Sequence, residues 1–140
     1  METIKHIWFE NDRIYMLSNL DKVYSRPLEA FPLLKDAPES VRLDFFIEMK
    51  GTAVRWPAID EDIHISSFYK TDEPDENNEI ARIFRAFPQL NVSEVARSIG
   101  INKSLLAKYI YGIKKPSPQR ILQIKSALSL LASRLADALS

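Results

Sequence analysis

The residues of this chain whose side chains are best suited to bind a ligand lie between positions 93 and 115, where cationic and hydrogen-bonding side chains are concentrated. Lysine and arginine side chains bind phosphate, and polar side chains near the start of a helix can hydrogen-bond the edges of bases. Their spacing predicts that most of them share the outer face of one helix. The candidate nucleic-acid-binding residues are therefore Asn102, Lys103, Ser104, Ala107, Lys108, Tyr111, Lys114, Lys115, Ser93 and Arg97.

The predicted roles of these residues differ with their position along the helix. Lys103 can donate to guanine O6 and N7, Ser104 can bond several bases, and Asn102 can pair with adenine if its side chain is not used as a helix cap. Lys108 and Tyr111 lie further along and are predicted to reach phosphates. In the alternative interpretation each lysine is an ordinary solvated charge and Tyr111 is partly a core residue. Further phosphate candidates are Lys114, Lys115, Ser93, Arg97 and Arg120.

The element that must position these side chains is a pair of short helices over residues 92–111. Val95, Ala96 and Ile99 recur at helical spacing, so they are predicted to share one buried face. Gly100 interrupts this pattern, and glycine tolerates the positive φ that a sharp turn after a helix requires. The residues predicted to face inward from the second helix are Leu106, Tyr109 and Ile110. The candidate N-caps along this part of the chain are Asn91, Asn102 and Ser117.

This segment resembles the helix-turn-helix of bacterial Cro/repressor-type DNA-binding domains. The small, glycine and apolar positions of that motif are filled by Ala96, Gly100, Val95, Ile99, Ile101, Leu106 and Tyr109. Its exit is also similar, with Tyr109-Ile110-Tyr111-Gly112 followed by Lys114-Lys115-Pro116-Ser117-Pro118. The resemblance implies an all-α, lambda-repressor-like domain that places its second motif helix in the major groove.

Two more helices are predicted around the motif. The first covers residues 79–87 and is ended by Pro88, with Ile80, Ile83, Phe84 and Phe87 facing inward. The second covers residues 118–139, where apolar residues alternate spacings of three and four: Ile121, Ile124, Leu128, Leu131, Leu135 and Ala138. The first half of this helix is predicted to complete the core. Its second half, residues 131–139, is predicted to contact either a twin subunit or the N-terminal domain.

The charge distribution supports a basic C-terminal region, although the net charge of the chain is zero. Residues 1–70 carry nine bases and twelve acids, residues 71–79 carry five acids and no base, and residues 80–140 carry ten bases and two acids. A local positive field attracts phosphate even in a molecule that is neutral as a whole. Such asymmetry between the two halves favours a nucleic-acid partner.

The N-terminal region is predicted to be a small antiparallel sheet with one or two short helices, which makes the fold class of the chain α+β. Residues 3–18 have the pattern of a hairpin, residues 22–25 that of a third strand, and residues 45–56 that of a second hairpin around Gly51. A helix broken at Pro32 follows Pro27. The residues around 60–62 are predicted to form a loop, and residues 63–65 a short edge strand.

Three short motifs of this region resemble a bacterial family known as domain of unknown function twenty-four forty-two. The residues that carry the resemblance are Arg26-Pro27-Leu28, Phe31-Pro32-Leu33, and Trp56-Pro57 followed by Asp60, Asp62 and Ile63. The resemblance implies either a stand-alone protein, in some cases encoded beside a toxin, or an N-terminal half fused to a helix-turn-helix. The predicted domains are residues 1–70, an exposed acidic linker at 71–78, and the DNA-binding domain at 79–140.

Several functional classes find no support in the sequence. The chain has no cysteine, His6 and His64 stand alone, and the acids at 60–62 lack further ligands at useful spacing, so no metal, cofactor or catalytic site is predicted. No apolar run approaches the roughly 20 residues of a membrane span. The N-terminus lacks a signal-peptide pattern, so a cytoplasmic protein that is not an enzyme is expected.

The sequence therefore predicts a DNA-binding transcriptional regulator that binds double-stranded DNA as a homodimer, with an N-terminal domain for dimerisation or for sensing a partner or signal. The alternative is an antitoxin-like interaction protein, whose N-terminal domain binds a toxin and whose basic half represses the shared operon. A toxin-like reading frame next to the gene would distinguish the two. The operator sequence and the sign of regulation are not encoded in these patterns.

Overall fold

The computed structural model describes all residues from 1 to 140. The chain forms two compact units, Met1–Pro74 and Asp75–Ser140, which are described separately below. The first unit contains all the strands and two of the six α-helices, and the second contains the other four helices. The architecture is therefore α+β. None of the helices combines the length and apolar composition needed to cross a bilayer.

The first unit begins with a three-stranded antiparallel sheet. Its strands are β1 (Ile4–Glu10), β2 (Arg13–Ser18) and β3 (Val23–Pro27), and they lie in that order. Asn11 and Asp12 connect β1 to β2 with φ of 52° and 58°, a left-handed turn that suits the twist of a tight hairpin. Every second residue of β2 is buried, as the alternation in the sequence predicts.

Short helices separate this sheet from the second one. A 3-10 turn at Leu28–Ala30 leads into α1 (Pro32–Lys35), and α2 (Glu39–Arg42) follows. Pro32 takes the first helical position, where its missing N–H is not needed. The predicted break at Pro32 is therefore the start of a new helix.

The second sheet is a separate one, which corrects the prediction of a single small sheet. It consists of β4 (Phe46–Glu48), β5 (Ala53–Trp56) and β6 (Glu61–His64), again antiparallel and in chain order. The predicted loop at 60–62 is also shorter than expected. Asp60 alone adopts the left-handed conformation, with φ of 50°, so the strand resumes at Glu61. A 3-10 segment, Ile65–Tyr69, ends the folded part of this unit.

One apolar cluster joins both sheets and the short helices of the first unit. Trp56 is its largest member and is fully buried, and its indole N–H donates to the carbonyl of Arg42 at 2.8 Å. The edge of its ring meets Phe9, and Phe45 packs against it at a tilt. The buried members of the cluster are Ile4, Ile7, Ile14, Met16, Leu28, Leu34, Val54, Trp56, Ile63, Ile65 and Phe68.

Two arginines form hydrogen bonds with residues 70–73, near the C-terminal end of the first unit. Arg26 is buried, and its guanidinium donates to the carbonyl oxygens of Lys70 and Asp72 at 3.2 and 2.8 Å. Arg13 donates two hydrogen bonds to the carboxylate of Glu73, at 2.6 and 3.1 Å. The segment predicted as a linker is exposed, and its first residues are nevertheless tied to the first unit.

The Arg13–Glu73 pair predicts a small dependence of stability on pH. The hydrogen bonds from Arg13 hold the pKa of Glu73 below its usual value. A depressed carboxyl pKa stabilises the fold above the unfolded value of about 4.3, and this contribution is lost as the pH falls through the lower, folded value. Because the Glu73 side chain is 54% exposed, Glu73→Gln should cost less than about 1 kcal/mol at neutral pH.

Urea unfolding followed by tryptophan fluorescence checks this prediction, because both tryptophans, Trp8 and Trp56, lie in the first unit. The difference between wild type and Glu73→Gln should shrink as the pH falls through the lowered pKa of Glu73, because the wild-type carboxyl then takes up a proton and loses its charge. A difference that persists in acid would contradict the assignment.

The second unit consists of four helices. They are α3 (Glu79–Ala86), α4 (Val92–Ser98), α5 (Lys103–Tyr111) and α6 (Pro118–Leu139). In each case a side-chain oxygen of the residue before the helix accepts a hydrogen bond from a backbone N–H of the first turn. These N-caps are Asn78, Asn91, Asn102 and Ser117.

The apolar faces of these helices meet in a second core, composed of residues of this unit alone. Its buried members are Ile80, Phe84, Val95, Ala96, Leu106, Tyr109 and Ile124. Phe87, which was predicted to face inward, is 59% exposed. Helix α3 ends at Ala86 and Phe87 has a non-helical φ of −126°, so its side chain leaves the face that the helical spacing assigned to it.

Candidate nucleic-acid interface

The turn between α4 and α5 sets the orientation of α5 relative to α4. Gly100 has φ of 75°, and no atom lies within 4 Å of the position that a Cβ would take there. The backbone N–H of Gly100 donates to the carbonyl of Arg97 and that of Ile101 to the carbonyl of Ala96, both at 3.1 Å. These bonds satisfy the last carbonyls of α4 and close the turn. Ile99 and Ile101 on either side of the glycine pack against the core of the second unit.

The start of α5 carries the residues predicted to reach base edges. Asn102 Oδ1 accepts a hydrogen bond from the backbone N–H of Leu105 at 2.7 Å, so this oxygen is used as the helix cap. Pairing with adenine requires both the oxygen and the amide nitrogen of an asparagine. The predicted adenine contact was conditional on a free side chain, and the structure does not meet this condition. Lys103 and Ser104 follow in the first turn, exposed and half-buried respectively.

The remaining candidates on α5 are less uniformly exposed than predicted. Lys108 and Tyr111 are half-buried. Ala107 was predicted to face outward and is buried, with 8% of its surface exposed. It lies one helical turn from Lys103 and one from Tyr111, and its methyl group is too short to reach past these longer side chains. Ala107 is therefore withdrawn as a contact residue.

The candidates outside α5 occupy α4 and the loop that follows α5. Arg97 is exposed and pairs with Glu94 at 3.3 Å, and Ser93 on the same helix is half-buried. Lys114 and Lys115 are exposed in the loop between α5 and α6. A further phosphate candidate, Arg120, is half-buried.

The exit from α5 positions this basic loop. Gly112 ends the helix with φ of 75°, and the N–H groups of Ile113 and Lys114 both donate to the carbonyl of Lys108, at 3.0 and 3.3 Å. The backbone of Asp75 lies directly against Gly112, and its N–H donates to the carbonyl of Tyr111 at 2.9 Å. The end of the helix is thus held by a residue 37 positions earlier in the chain.

The role of Asp75 was missed in the sequence, which assigned this residue to an exposed linker. Only its backbone is used, so its side-chain type carries no signal of the contact. Gly112 was the available clue, because a glycine at a helix end can either adopt a positive φ or leave room for another segment of the backbone. Gly112 does both, since it has φ of 75° and the backbone of Asp75 lies against it.

Other polar clusters offer no comparable arrangement. Asp60 and Asp62 both pair with Arg55, at 2.8 and 2.7 Å, so both carboxylates are held by one guanidinium. No three His, Asp or Glu side chains come together in a way that would hold a metal ion.

Comparisons with known proteins bear mainly on the first unit. No curated protein matches the chain in sequence. One solved structure similar to it is that of a protein from Nitrosomonas europaea described as "Putative DNA Binding Protein", with 12% identity over 89% of this chain and 84% of that chain. Its TM-score is 0.35, too low for the likeness to support an argument. The family described as "Protein of unknown function (DUF2442)" matches residues 4–74. Because this match spans half of the chain, the chain belongs to the DUF2442 family, as the motifs around Arg26, Phe31 and Trp56 predicted.

Proposed function

We propose that the second unit binds double-stranded DNA with α5 in the major groove, and that the chain is a DNA-binding regulator of transcription. The observation that supports this most directly is the order of three features. Two short helices are joined at a glycine turn, the second helix begins with Asn102 and Lys103, and a loop with two exposed lysines follows it. This order supports the interpretation as a helix-turn-helix, a motif whose second helix reads the groove from its N-terminal end.

The dimensions of α5 suit this role. Its nine residues give a length of about 13 Å, and a helix with its side chains has a diameter of about 10–12 Å. The major groove of B-DNA is about 12 Å wide. The helix therefore fits the groove, and α4 would cross the phosphate backbone with Ser93 and Arg97 as candidate contacts.

The proposed contacts are of two kinds: contacts with phosphates, which position the protein on the DNA, and contacts with base edges, which read the sequence. Lys108, Tyr111, Lys114 and Lys115 would bind phosphates, which fix the position of the protein on the duplex. Base reading falls to Lys103 and Ser104, since Asn102 is used as a cap. No arginine occupies α5, and arginine makes the commonest specific contact with guanine, so we expect limited sequence selectivity from one copy.

The electrostatic support for DNA binding is the concentration of positive charge in the second unit. Residues 75–140 carry ten bases against five acids, so the second unit attracts phosphate although the whole chain is neutral. With about six phosphate contacts, the logarithm of the affinity should fall with the logarithm of salt concentration at a slope of about −5. The first unit is assigned to sensing a partner or signal, and no catalytic role is proposed for it.

Titration of the full chain onto duplex DNA from its own upstream region, at two salt concentrations, tests the proposal. The double variant Lys103→Ala/Lys108→Ala should weaken binding by about thirtyfold to hundredfold and reduce the salt slope by about one, because only Lys108 of the pair is assigned to a phosphate. The matched control is Lys22→Ala/Lys70→Ala, which removes the same charge from exposed positions of the first unit and should bind like wild type. Circular dichroism establishes that each variant is folded.

Two results would reject this assignment. Wild-type affinity of the Lys103/Lys108 variant would show that α5 is not the reading helix. An equal loss in the Lys22/Lys70 control would show that binding follows overall charge and not this surface.

A further inference from the structure

The last part of α6 is exposed although its composition is apolar. All residues from 129 to 140, here called the distal segment, are exposed. They include four leucines, Leu130, Leu131, Leu135 and Leu139, with exposed fractions of 60%, 45%, 58% and 79%. Arg134 and Asp137 are the only charged side chains among these twelve residues. A helix face that remained in water would be expected to carry many more charges.

A groove lies beside the base of this segment, between α4 and α6. Its volume is about 460 Å³. Its apolar lining comes from Leu90, Val95, Ala127, Leu130 and Leu131. The distal segment continues past the groove by about one and a half helical turns and carries Leu135 and Leu139 beyond it.

We propose that the distal segment and this α4–α6 groove form a homodimer interface, in which the distal segment of each copy occupies the groove of the other. A twofold interface requires a surface that is complementary to itself. This chain presents both parts of such a surface: an apolar groove, and a projecting helix end whose leucines match it in chemistry.

Charge and area also favour a second copy as the occupant. The distal segment has no net charge, so two copies do not repel each other. Its one acid, Asp137, would enter a groove whose rim carries Arg134, while Glu94 on the other wall is already paired with Arg97. The four leucines, two of which also line the groove, expose on the order of 400 Å² per copy, so two copies contribute about two thirds of the roughly 1,200 Å² of a stable interface.

The proposed interface complements the proposed function without depending on it. A single helix-turn-helix contacts few bases, and two copies on half-sites about 34 Å apart would combine their affinities. Self-association is measured without DNA, however, so failure of either proposal can be recognised independently of the other.

The test measures the mass of the full chain in solution by sedimentation equilibrium, for wild type and for Leu135→Glu/Leu139→Glu. Wild type should be a dimer at about 50 μM, and the double variant should associate at least a hundredfold more weakly, because two charges per copy would enter the apolar groove. Both leucines lie outside the core of the second unit, so the variant is expected to remain folded. The matched control is Leu122→Glu, which changes a 64% exposed leucine of the same helix away from the groove and should leave the dimer intact.

A second variant tests the groove itself. Ala127→Arg places a long charged side chain in the groove and should also give monomers. Mixed in equal amounts, the distal-segment variant and the groove variant can still form one of the two exchanged contacts, so the mixture should associate more strongly than either variant alone. A monomeric wild type, a dimer that survives Leu135→Glu/Leu139→Glu, or equal dissociation by Leu122→Glu would each overturn the proposal.

Discussion

Replacing Gly112 by alanine should strongly destabilise the second unit, with a loss of about 3–5 kcal/mol in its free energy of unfolding. At φ of 75° a Cβ costs about 1–2 kcal/mol through local strain. The added atom would also overlap the peptide group of Asp75, lying 2.7 Å from its carbonyl carbon and 2.9 Å from its nitrogen. Relief of this overlap requires the Asp75 backbone to move, which breaks its hydrogen bond to Tyr111 and costs about 1–3 kcal/mol more.

Far-UV circular dichroism during urea unfolding measures the effect, because most of the helix in the chain belongs to the second unit. Tryptophan fluorescence, which reports only on the first unit, should show an unchanged transition. Each of the two cores is composed of residues of one unit, so the loss of stability should be limited to the second unit. The variant should also lose DNA binding, because the exit of α5 and the basic loop depend on this contact.

Gly100→Ala is the matched control. Gly100 has the same φ of 75°, but no atom lies within 4 Å of its Cβ position. This variant carries the local strain alone and should lose only about 1–2 kcal/mol. The difference between the two variants therefore isolates the contact with Asp75, and equal losses would mean that this contact does not exist in solution.

These two glycines also show how far the sequence could predict the second unit. The start of each motif helix was predictable because an N-cap is a local signal: α4 follows Asn91 directly, and α5 follows Asn102. The turn at Gly100 was predictable for the same reason. The contact between Gly112 and Asp75 was not, because it joins backbone atoms 37 residues apart and leaves no mark on the side chains.

The first unit illustrates the same limit at the level of sheets. Strand positions follow from the alternation of apolar residues and from turn residues such as Asn11 and Asp12, and these were largely predicted. Which strands share a sheet depends on pairing at a distance, and so two three-stranded sheets were predicted as one. Trp56 is the last residue of β5 and is fully buried. That the second unit binds DNA remains a prediction.

Trp56→Ala should have an equally large effect in the other half of the chain, with a loss of about 3–5 kcal/mol in the stability of the first unit. The fully buried ring contacts Phe9 and Phe45, and its removal leaves a cavity shared by both sheets. The carbonyl of Arg42 also loses its hydrogen bond from the indole, at 2.8 Å. Hydrogen exchange measured on peptides from β1–β3 and β4–β6 should become fast in this variant.

Trp8→Ala is the control, because it removes the same side chain from a half-exposed position on the same unit. Trp8 stacks between His6 and Tyr15 with ring centroids 5.6 and 5.4 Å away, outside the apolar cluster. Loss of such a surface stack should cost about 1 kcal/mol or less. If Trp8→Ala and Trp56→Ala were equally destabilising, the core assigned to the first unit would be wrong.

The Trp56→Ala variant also separates the roles of the two units. If the surface around α5 is sufficient for DNA binding, the variant with a destabilised first unit should still bind duplex DNA at close to wild-type affinity. Dimerisation through α6 should persist as well, because the groove and the distal segment both belong to the second unit. Loss of both activities in Trp56→Ala, with the helices of the second unit still protected from exchange, would mean that the DUF2442 unit contributes directly to the DNA contact and to the dimer. In that case the assignment of both functions to residues 75–140 would have to be abandoned.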